Sequence, residues 1–297
     1  MLNLSFFFYI FFFILLSYFF KDNFANLSSY IPHLLGIVIF FMGLTIELKE
    51  LLHTLRKFKW IIITISIQFT VMPFLAFIIS LIFRLPLEIS LGFIILGSCP
   101  GGTASNVITY LCNGNVSLSL LCTFISTIFA IILTPLLIYF YAGHSIEIPV
   151  MNLISSTSKI ILIPLVFGFL IKLYFFNFIN KIKKTFPTIS EISVALIISI
   201  IFAINYENIS FVTPQIFGGV IIHNICGLIL GYLIADYFKI PKKEKKTIAI
   251  EVGMQNSGLG MGLAMIHFSN LVALPSAIFS LWHNISASIL VYLSKKK

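Results

Sequence analysis

Apolar residues fill this chain in long blocks, cut by short breaks of charge, glycine or proline. The blocks lie near residues 6–20, 31–46, 60–83, 88–112, 117–141, 154–176, 189–205, 211–238, 246–267 and 272–294. A helix needs about 20 residues to cross roughly 30 Å of hydrocarbon, and the blocks recur near that length from end to end. The pattern predicts an all-α membrane protein with ten transmembrane helices. No polar stretch is long enough to fold as a soluble unit, so residues 1–297 are read as one transmembrane domain. The first block, FFFYIFFFILLSYFF, has no basic segment before it and no small-residue cleavage site ahead of Lys21. It reads as a retained span rather than a signal peptide.

Two blocks are interrupted in mid-span. In the fourth, GSCPGGTASN (97–106) sets Pro100 beside Gly101 and Gly102. In the ninth, EVGMQNSGLGMG (251–262) sets Gly253, Gly258, Gly260 and Gly262 around Met254, Gln255 and Asn256. Proline removes a backbone donor and glycine weakens a helix, and backbone freed at membrane depth must be satisfied by protein or by a water-filled cavity. The two breaks occupy the fourth span of each set of five. Interrupted spans at matching places in two halves point to a transporter built from repeats, and an odd number of spans per half makes the repeats inverted. Repeat one covers about 1–143 and repeat two about 150–297. Close helix packing alone explains Gly258 and Gly262 equally well, but not the amides, hydroxyls and carboxylate gathered at the same places.

Composition and charge add orientation. The chain is 59% hydrophobic and 10% charged, so most of its surface faces lipid. With ten spans, Lys21, Arg84 and Lys159 fall on one side and the other sixteen of the nineteen cations on the other. That asymmetry places both termini in the cytoplasm and predicts a multi-pass protein of the cell inner (plasma) membrane. The net charge of +9 is then anchoring beside anionic lipid, which excludes nucleic acid as a partner, and no obligate protein partner is indicated. The four cysteines show no CxxC or Cys/His spacing, which argues against a zinc site and a disulfide framework.

Candidate chemistry gathers at the breaks. Nine of the ten acidic residues fall at span ends or in connections, whereas Glu251 lies inside the ninth block with no lysine or arginine deeper in the membrane. A buried charge of that kind needs a partner, and a metal cation would supply it. The competing reading puts Glu251 at the cytoplasmic mouth, solvated, protonated or paired with Lys246. Neutral oxygens surround the same region: Ser105 and Asn106 after the first break, Ser119 and Thr123 on one face of the fifth helix, Gln68 in the third, and Gln255 in the second break. One carboxylate among neutral oxygens suits a monovalent ion better than Mg²⁺ or Ca²⁺, which makes Na⁺ the leading candidate, with carbonyls of Val252 and Met254 available to it. The half-helices also expose N-termini near Thr103 and Asn256, where partial positive charge receives an anion. His223 with Asn224 in the eighth block and His283 with Asn284 in the tenth are further intramembrane polar pairs, read as interhelical hydrogen bonding in preference to a proton relay.

At these residues the chain resembles the bile acid:sodium symporter family, and most closely its bacterial ten-helix members. The resemblance rests on CPGGTASNVITYLCNGNVSLSLLCTFIST (99–127) and EVGMQNSGLGMGLA (251–264). It implies a core domain of helices three to five and eight to ten, with crossing, discontinuous helices four and nine, and a panel domain of helices one, two, six and seven. It implies two sodium sites. One comprises Ser105, Asn106, Ser119, Thr123 and Glu251; the other comprises Gln68, Glu251, Val252, Met254 and Gln255. It implies substrate contacts at Thr103 and Asn256.

The expected function is sodium-coupled symport of an organic anion by alternating access. The cargo is a bile acid-like molecule or a small carboxylate such as pantoate or pyruvate, beside sodium ions and membrane lipid. The alternative is a proton-coupled carrier or cation/proton antiporter that titrates Glu251. An enzyme is not expected, because no second mid-membrane carboxylate, Ser/His/Asp set or HExxH motif accompanies Glu251.

Overall fold

The computed structural model describes residues 4–46, 57–207 and 214–295. Lys49, Arg56, Lys296 and Lys297, the acidic Glu47 and Glu50, and the first residues of the 211–238 block lie outside that range. Among the described residues the chain is helical and holds no strand; its one β feature is an isolated antiparallel bridge between Gly101 and Gln255.

The helices are α1 (Leu4–Phe19), α2 (Lys21–Asn26), α3 (Ile31–Thr45), α4 (Phe58–Ile82), α5 (Leu87–Gly97), α6 (Ala104–Leu111), α7 (Val116–Ala142), α8 (Val150–Tyr174), α9 (Phe176–Ile182), α10 (Phe186–Ile204), α11 (Pro214–Tyr237), α12 (Lys242–Gly253), α13 (Ser257–His267) and α14 (Leu274–Lys295). Seven helical stretches among the described residues are long and apolar enough to cross a membrane: 21–45, 58–82, 116–142, 150–174, 176–204, 214–237 and 270–294. α1 is apolar but shorter, and the fourth and ninth blocks are each split in two, as the proline and glycine clusters predict. Lipid-facing positions carry large apolar groups, such as Phe8, Phe11 and Phe19 on α1 and Ile163, Val166 and Phe167 on α8.

α3 packs along α8, and α1 along α10. The α3–α8 contact is close because glycines meet backbone. A side chain at Gly43 would strike the Leu165 carbonyl and sit 3.1 Å from the Phe169 nitrogen, and one at Gly168 would strike the Phe40 carbonyl. Without a hydrophobic drive inside lipid, such small-residue faces let helices gain dispersion contact over a wide area.

The turns that lead into the two split spans repeat each other. Phe83-Arg84-Leu85-Pro86 precedes α5 and Phe238-Lys239-Ile240-Pro241 precedes α12. In each the cation adopts a left-handed backbone, φ 49° at Arg84 and 54° at Lys239. The next amide then reaches back to close the preceding helix, Leu85 to the Ser80 carbonyl and Ile240 to the Ala235 carbonyl, both at 3.1 Å. The following proline opens the next helix, where its missing N–H costs nothing.

A polar clasp fixes the start of α12. The Lys57 ammonium lies 2.8 Å from the Glu244 carboxylate, which also accepts the Asn115 side-chain amide at 3.1 Å. The Asn115 backbone N–H donates to the Thr247 hydroxyl at 2.7 Å. Glu251 follows Glu244 by seven residues, about two helical turns or ~10 Å deeper along the same face. The clasp therefore sets the depth of Glu251.

Gly43→Leu should destabilise by about 1–3 kcal/mol through forced separation of α3 and α8. Gly36→Ala, where an added methyl meets nothing within 4 Å, should be neutral or stabilising. Thermal melts of the two variants in detergent test the contrast.

Candidate ion and anion site at the crossing of the broken helices

The two breaks satisfy each other. The Gly102 N–H donates to the Met254 carbonyl at 2.6 Å, and the Asn256 N–H donates to the Pro100 carbonyl at 2.9 Å. Backbone groups that leave both helices thus pair across a two-residue bridge, which is how a non-helical segment persists among buried apolar walls. None of the glycines here has positive φ, so their use is closeness rather than a left-handed turn. A β-carbon on Gly102 would lie 2.7 Å from the Gln255 carbonyl oxygen, and one on Gly101 would collide with the Glu251 carboxylate.

Glu251 sits on the last turn of α12 with 2% exposure. Its carboxylate accepts three hydroxyls: Ser105 at 2.6 Å, Ser119 at 2.9 Å and Thr123 at 2.5 Å. Ser105 comes from the first turn of α6, and Ser119 and Thr123 come from one face of α7, where Asn115 caps the helix by accepting the Leu118 N–H at 3.1 Å. No cation contacts Glu251 among the described residues, which overturns the pairing with Lys246 and the solvated mouth position. The three hydroxyl donors favour the ionised form of the carboxylate and act against the cost of its burial.

Asn106 lies beside this group. Its side-chain oxygen accepts from Thr123 at 3.4 Å, and its side-chain N–H donates to the Thr103 carbonyl at 3.2 Å. Gln68, from the middle of α4, donates to the Cys99 carbonyl at 2.8 Å and to the Gln255 side-chain oxygen at 2.7 Å, but makes no hydrogen bond to Glu251. Its own side-chain oxygen is buried with no donor. The Val252 carbonyl accepts from the Gln255 side chain at 3.2 Å, and the Met254 carbonyl is the acceptor of the cross-bridge. The polar residues singled out at the two breaks, with Gln68, Ser119 and Thr123, thus come to one crossing, whereas Gly258 and Gly262 face Leu35 and Gly260 faces Ser276.

Thr103 and Asn256 stand where α6 and α13 begin. Both are partly exposed, in contrast to the buried residues 97–102 and 247–255. The Asn256 side-chain oxygen caps α13 by accepting the Leu259 N–H at 3.1 Å, whereas Thr103 offers α6 no side-chain cap.

Other supports were not legible as such. Asn224 of α11 donates to the Gly253 carbonyl at 2.8 Å and accepts from the Trp282 indole at 3.1 Å, so it holds the end of α12. Thr109 donates to Ser119 at 3.3 Å, and Thr134 donates to the Ser98 carbonyl at 2.7 Å. The signal for Asn224 was an amide in mid-span; a single threonine on an apolar helix carries none, because most such hydroxyls bond their own backbone. His223 meets the Met72 carbonyl at 3.2 Å, an interhelical contact as read from the sequence. His283 shows no such contact among the described residues, and its Nδ1, like that of His223, is buried without a partner among them.

Comparison with known proteins agrees with the residues at the crossing. The profile of the Sodium Bile acid symporter family matches residues 32–211. The chain is 44% identical over 282 residues to a protein of Bacillus subtilis (strain 168) described as the uncharacterized sodium-dependent transporter YocS, covering 95% of this chain and 88% of that one. It is 37% identical over 257 residues to a probable chloroplastic sodium/metabolite cotransporter of Arabidopsis thaliana, covering 86% and 64% respectively. Against the human ileal sodium/bile acid cotransporter it is 30% identical over 301 residues, covering 93% and 84%. These relatives are named as transporters rather than enzymes. With its apolar spans and its matched breaks, the chain is a multi-pass membrane protein that belongs to the Sodium Bile acid symporter family of sodium-dependent transporters.

Proposed function

We propose that the chain is a secondary active transporter that carries sodium ions and an organic anion in the same direction by alternating access. The observation that carries this reading is Glu251: a carboxylate buried at the crossing, met by three hydroxyls and, among the described residues, by no cation. A full charge at membrane depth is costly without a counterion, and sodium as co-substrate supplies one. The first ion set is Ser105, Asn106, Ser119, Thr123 and Glu251. The Thr123 hydroxyl has other acceptors to turn to, the Ser119 carbonyl at 3.0 Å and the Asn106 side-chain oxygen at 3.4 Å, so its oxygen can face a cation while its proton is kept.

The second set is Gln68, Glu251, Val252, Met254 and Gln255. The buried Gln68 oxygen without a donor supports it, since such acceptors are rare in native proteins unless a cation or water meets them. The Val252 and Met254 carbonyls each spend one lone pair on a hydrogen bond and keep a second. The organic anion is received at Thr103 and Asn256, where two helix N-termini converge. Sodium removes the charge of Glu251 that would otherwise repel it, which couples the two cargoes. The cargo class is a bile acid-like amphipath or a small carboxylate such as pantoate or pyruvate; the human relative is named for bile acid and the Arabidopsis relative for a metabolite.

The architecture proposed with this function has ten spans in two inverted repeats, 1–143 and 150–297. The repeated Phe-cation-aliphatic-Pro turns before the two split spans support it. A panel of α1, α2–α3, α8 and α9–α10 stands against a core of α4–α7 and α11–α14. Two hydrogen bonds join panel to core at one end of the molecule: Ser156 with His267 at 2.6 Å, and the Asn205 side chain to the Asn270 carbonyl at 3.2 Å. Under the positive-inside reading that end faces away from the cytoplasm, with both termini cytoplasmic and the chain in the cell inner membrane.

Glu251→Gln keeps the shape of the site but removes its charge and turns one accepting oxygen into an N–H donor. Sodium-driven uptake of a radiolabelled carboxylate into proteoliposomes should fall by roughly a hundredfold, while the variant still elutes as a folded protein. Uptake driven by a pH gradient in sodium-free buffer would favour the proton-coupled alternative. A second test addresses the panel and core: cysteines at Ser156 and His267, joined by a short bifunctional maleimide, should arrest uptake. Full uptake by the cross-linked protein would contradict movement between the two bodies.

A further inference from the structure

A second feature lies away from the crossing, where α4 ends, α5 begins and α7 ends. There a cleft of about 320 Å³ opens between the three helices. Its walls are mostly apolar, formed by Phe77, Leu81, Leu87, Leu91 and Ile94 among others, and Arg84 is the only charged residue that lines it among the described residues. The carboxylate nearest to Arg84 in sequence, Glu88, is engaged by the Ser269 hydroxyl rather than by the guanidinium. Four hydroxyl-bearing residues, Ser80, Ser90, Tyr141 and Ser145, also line the cleft. Ser80 and Ser90 donate to the Ala76 and Leu85 carbonyls, whereas the hydroxyls of Tyr141 and Ser145 take no partner among the described residues.

A cation at the end of a helix is unremarkable by itself, since it complements the carbonyl end of the dipole, and Lys239 does the same after α11. What sets Arg84 apart is the enclosure: a guanidinium fork without a carboxylate, two free hydroxyls, and greasy walls. Guanidinium matches phosphate with paired N–H donors, and hydroxyls extend the same cradle. An apolar track leaves the cleft along α4, where Phe74, Phe77 and Leu81 share one face, with Phe74 52% and Leu81 57% exposed toward lipid. A head group at the helix ends and a chain running down a lipid-facing stripe describe a phospholipid lying as it does in a bilayer.

We infer that the α4–α5–α7 cleft binds the phosphate head of an anionic phospholipid, with Arg84 and Tyr141 as its polar contacts and the α4 stripe as the seat of an acyl chain. Neither the sodium sets nor the anion contacts at the crossing take part.

The backbone supplies an unusually safe variant. Arg84 sits at positive φ, where glycine is favoured over any larger residue, so Arg84→Gly removes the guanidinium without straining the fold. Native mass spectrometry of detergent-purified protein supplied with phosphatidylglycerol should show one lipid retained at activation energies that strip the rest. Arg84→Gly should weaken that retention about tenfold or more, Tyr141→Phe should weaken it less, and melting in lipid-free detergent should be unchanged or raised for Arg84→Gly. Equal retention by the original chain and Arg84→Gly would overturn the inference, as would equal retention of phosphatidylcholine and phosphatidylglycerol. Retention of cholate or pyruvate in place of lipid, lost in Arg84→Gly, would reassign the cleft to a soluble anion and so overturn the lipid assignment.

Discussion

The rest of the structure depends on one electrostatic demand: a carboxylate buried at 2% exposure with no lysine or arginine against it among the described residues. Glu251 is buried on the last turn of α12, and three hydroxyls from α6 and α7 point at it. Each neighbouring feature follows from keeping that group in place. The two helices must break for their ends to meet, the breaks must pair their backbones, and Gly101 and Gly102 must stay without side chains for the pairing to be close. The Lys57–Glu244–Asn115 clasp sets the depth of α12, and Asn224 holds its far end. A hydrophobic protein of this size has no need of so many buried polar contacts for stability, since apolar residues of similar volume pack as well or better in such places. The reading that accounts for their gathering is a site that gains and loses a cation.

Much of this was legible in the sequence because polar groups are conspicuous against an apolar background. Pro100 with two glycines, and Gln255 with Asn256 between glycines, cannot continue a helix in lipid, and the structure splits both spans there. Ser119 and Thr123 are one turn apart, so a shared target could be read from spacing alone. The burial of Glu251 was legible too, as the one acidic residue inside a block; what sequence left open was a solvated pair with Lys246, and the enclosure of α12 by α4, α6 and α7 decides against it. Asn224 was marked as an amide in mid-span but its partner was not, and Thr109 escaped altogether, because their partners, a backbone carbonyl and a hydroxyl, are brought near only by tertiary packing. The count of spans follows length only in part, because α1 and the four half-helices are too short to be counted singly.

The two proposed cargo sites divide the chemistry between side chains and backbone. Oxygen-rich side chains surround Glu251 and Gln68, and helix N-termini with few side-chain groups stand at Thr103 and Asn256. That division separates what the ion demands from what the anion demands. A small cation needs fixed oxygens at close range, whereas an anion of variable shape needs only partial positive charge at one end and an apolar wall along the rest. Relatives named for bile acid and for metabolites fit that division, because the wall can change without touching the ion sets.

The most direct measurement is the melting temperature of purified protein as NaCl replaces KCl at constant ionic strength. A ligand bound only by the folded state raises stability as the logarithm of its concentration once above its dissociation constant. The account predicts a progressive rise with sodium for the original chain and none for the Glu251→Gln variant. An equal rise with potassium, or an undiminished rise in the variant, would contradict a sodium ion held by this carboxylate.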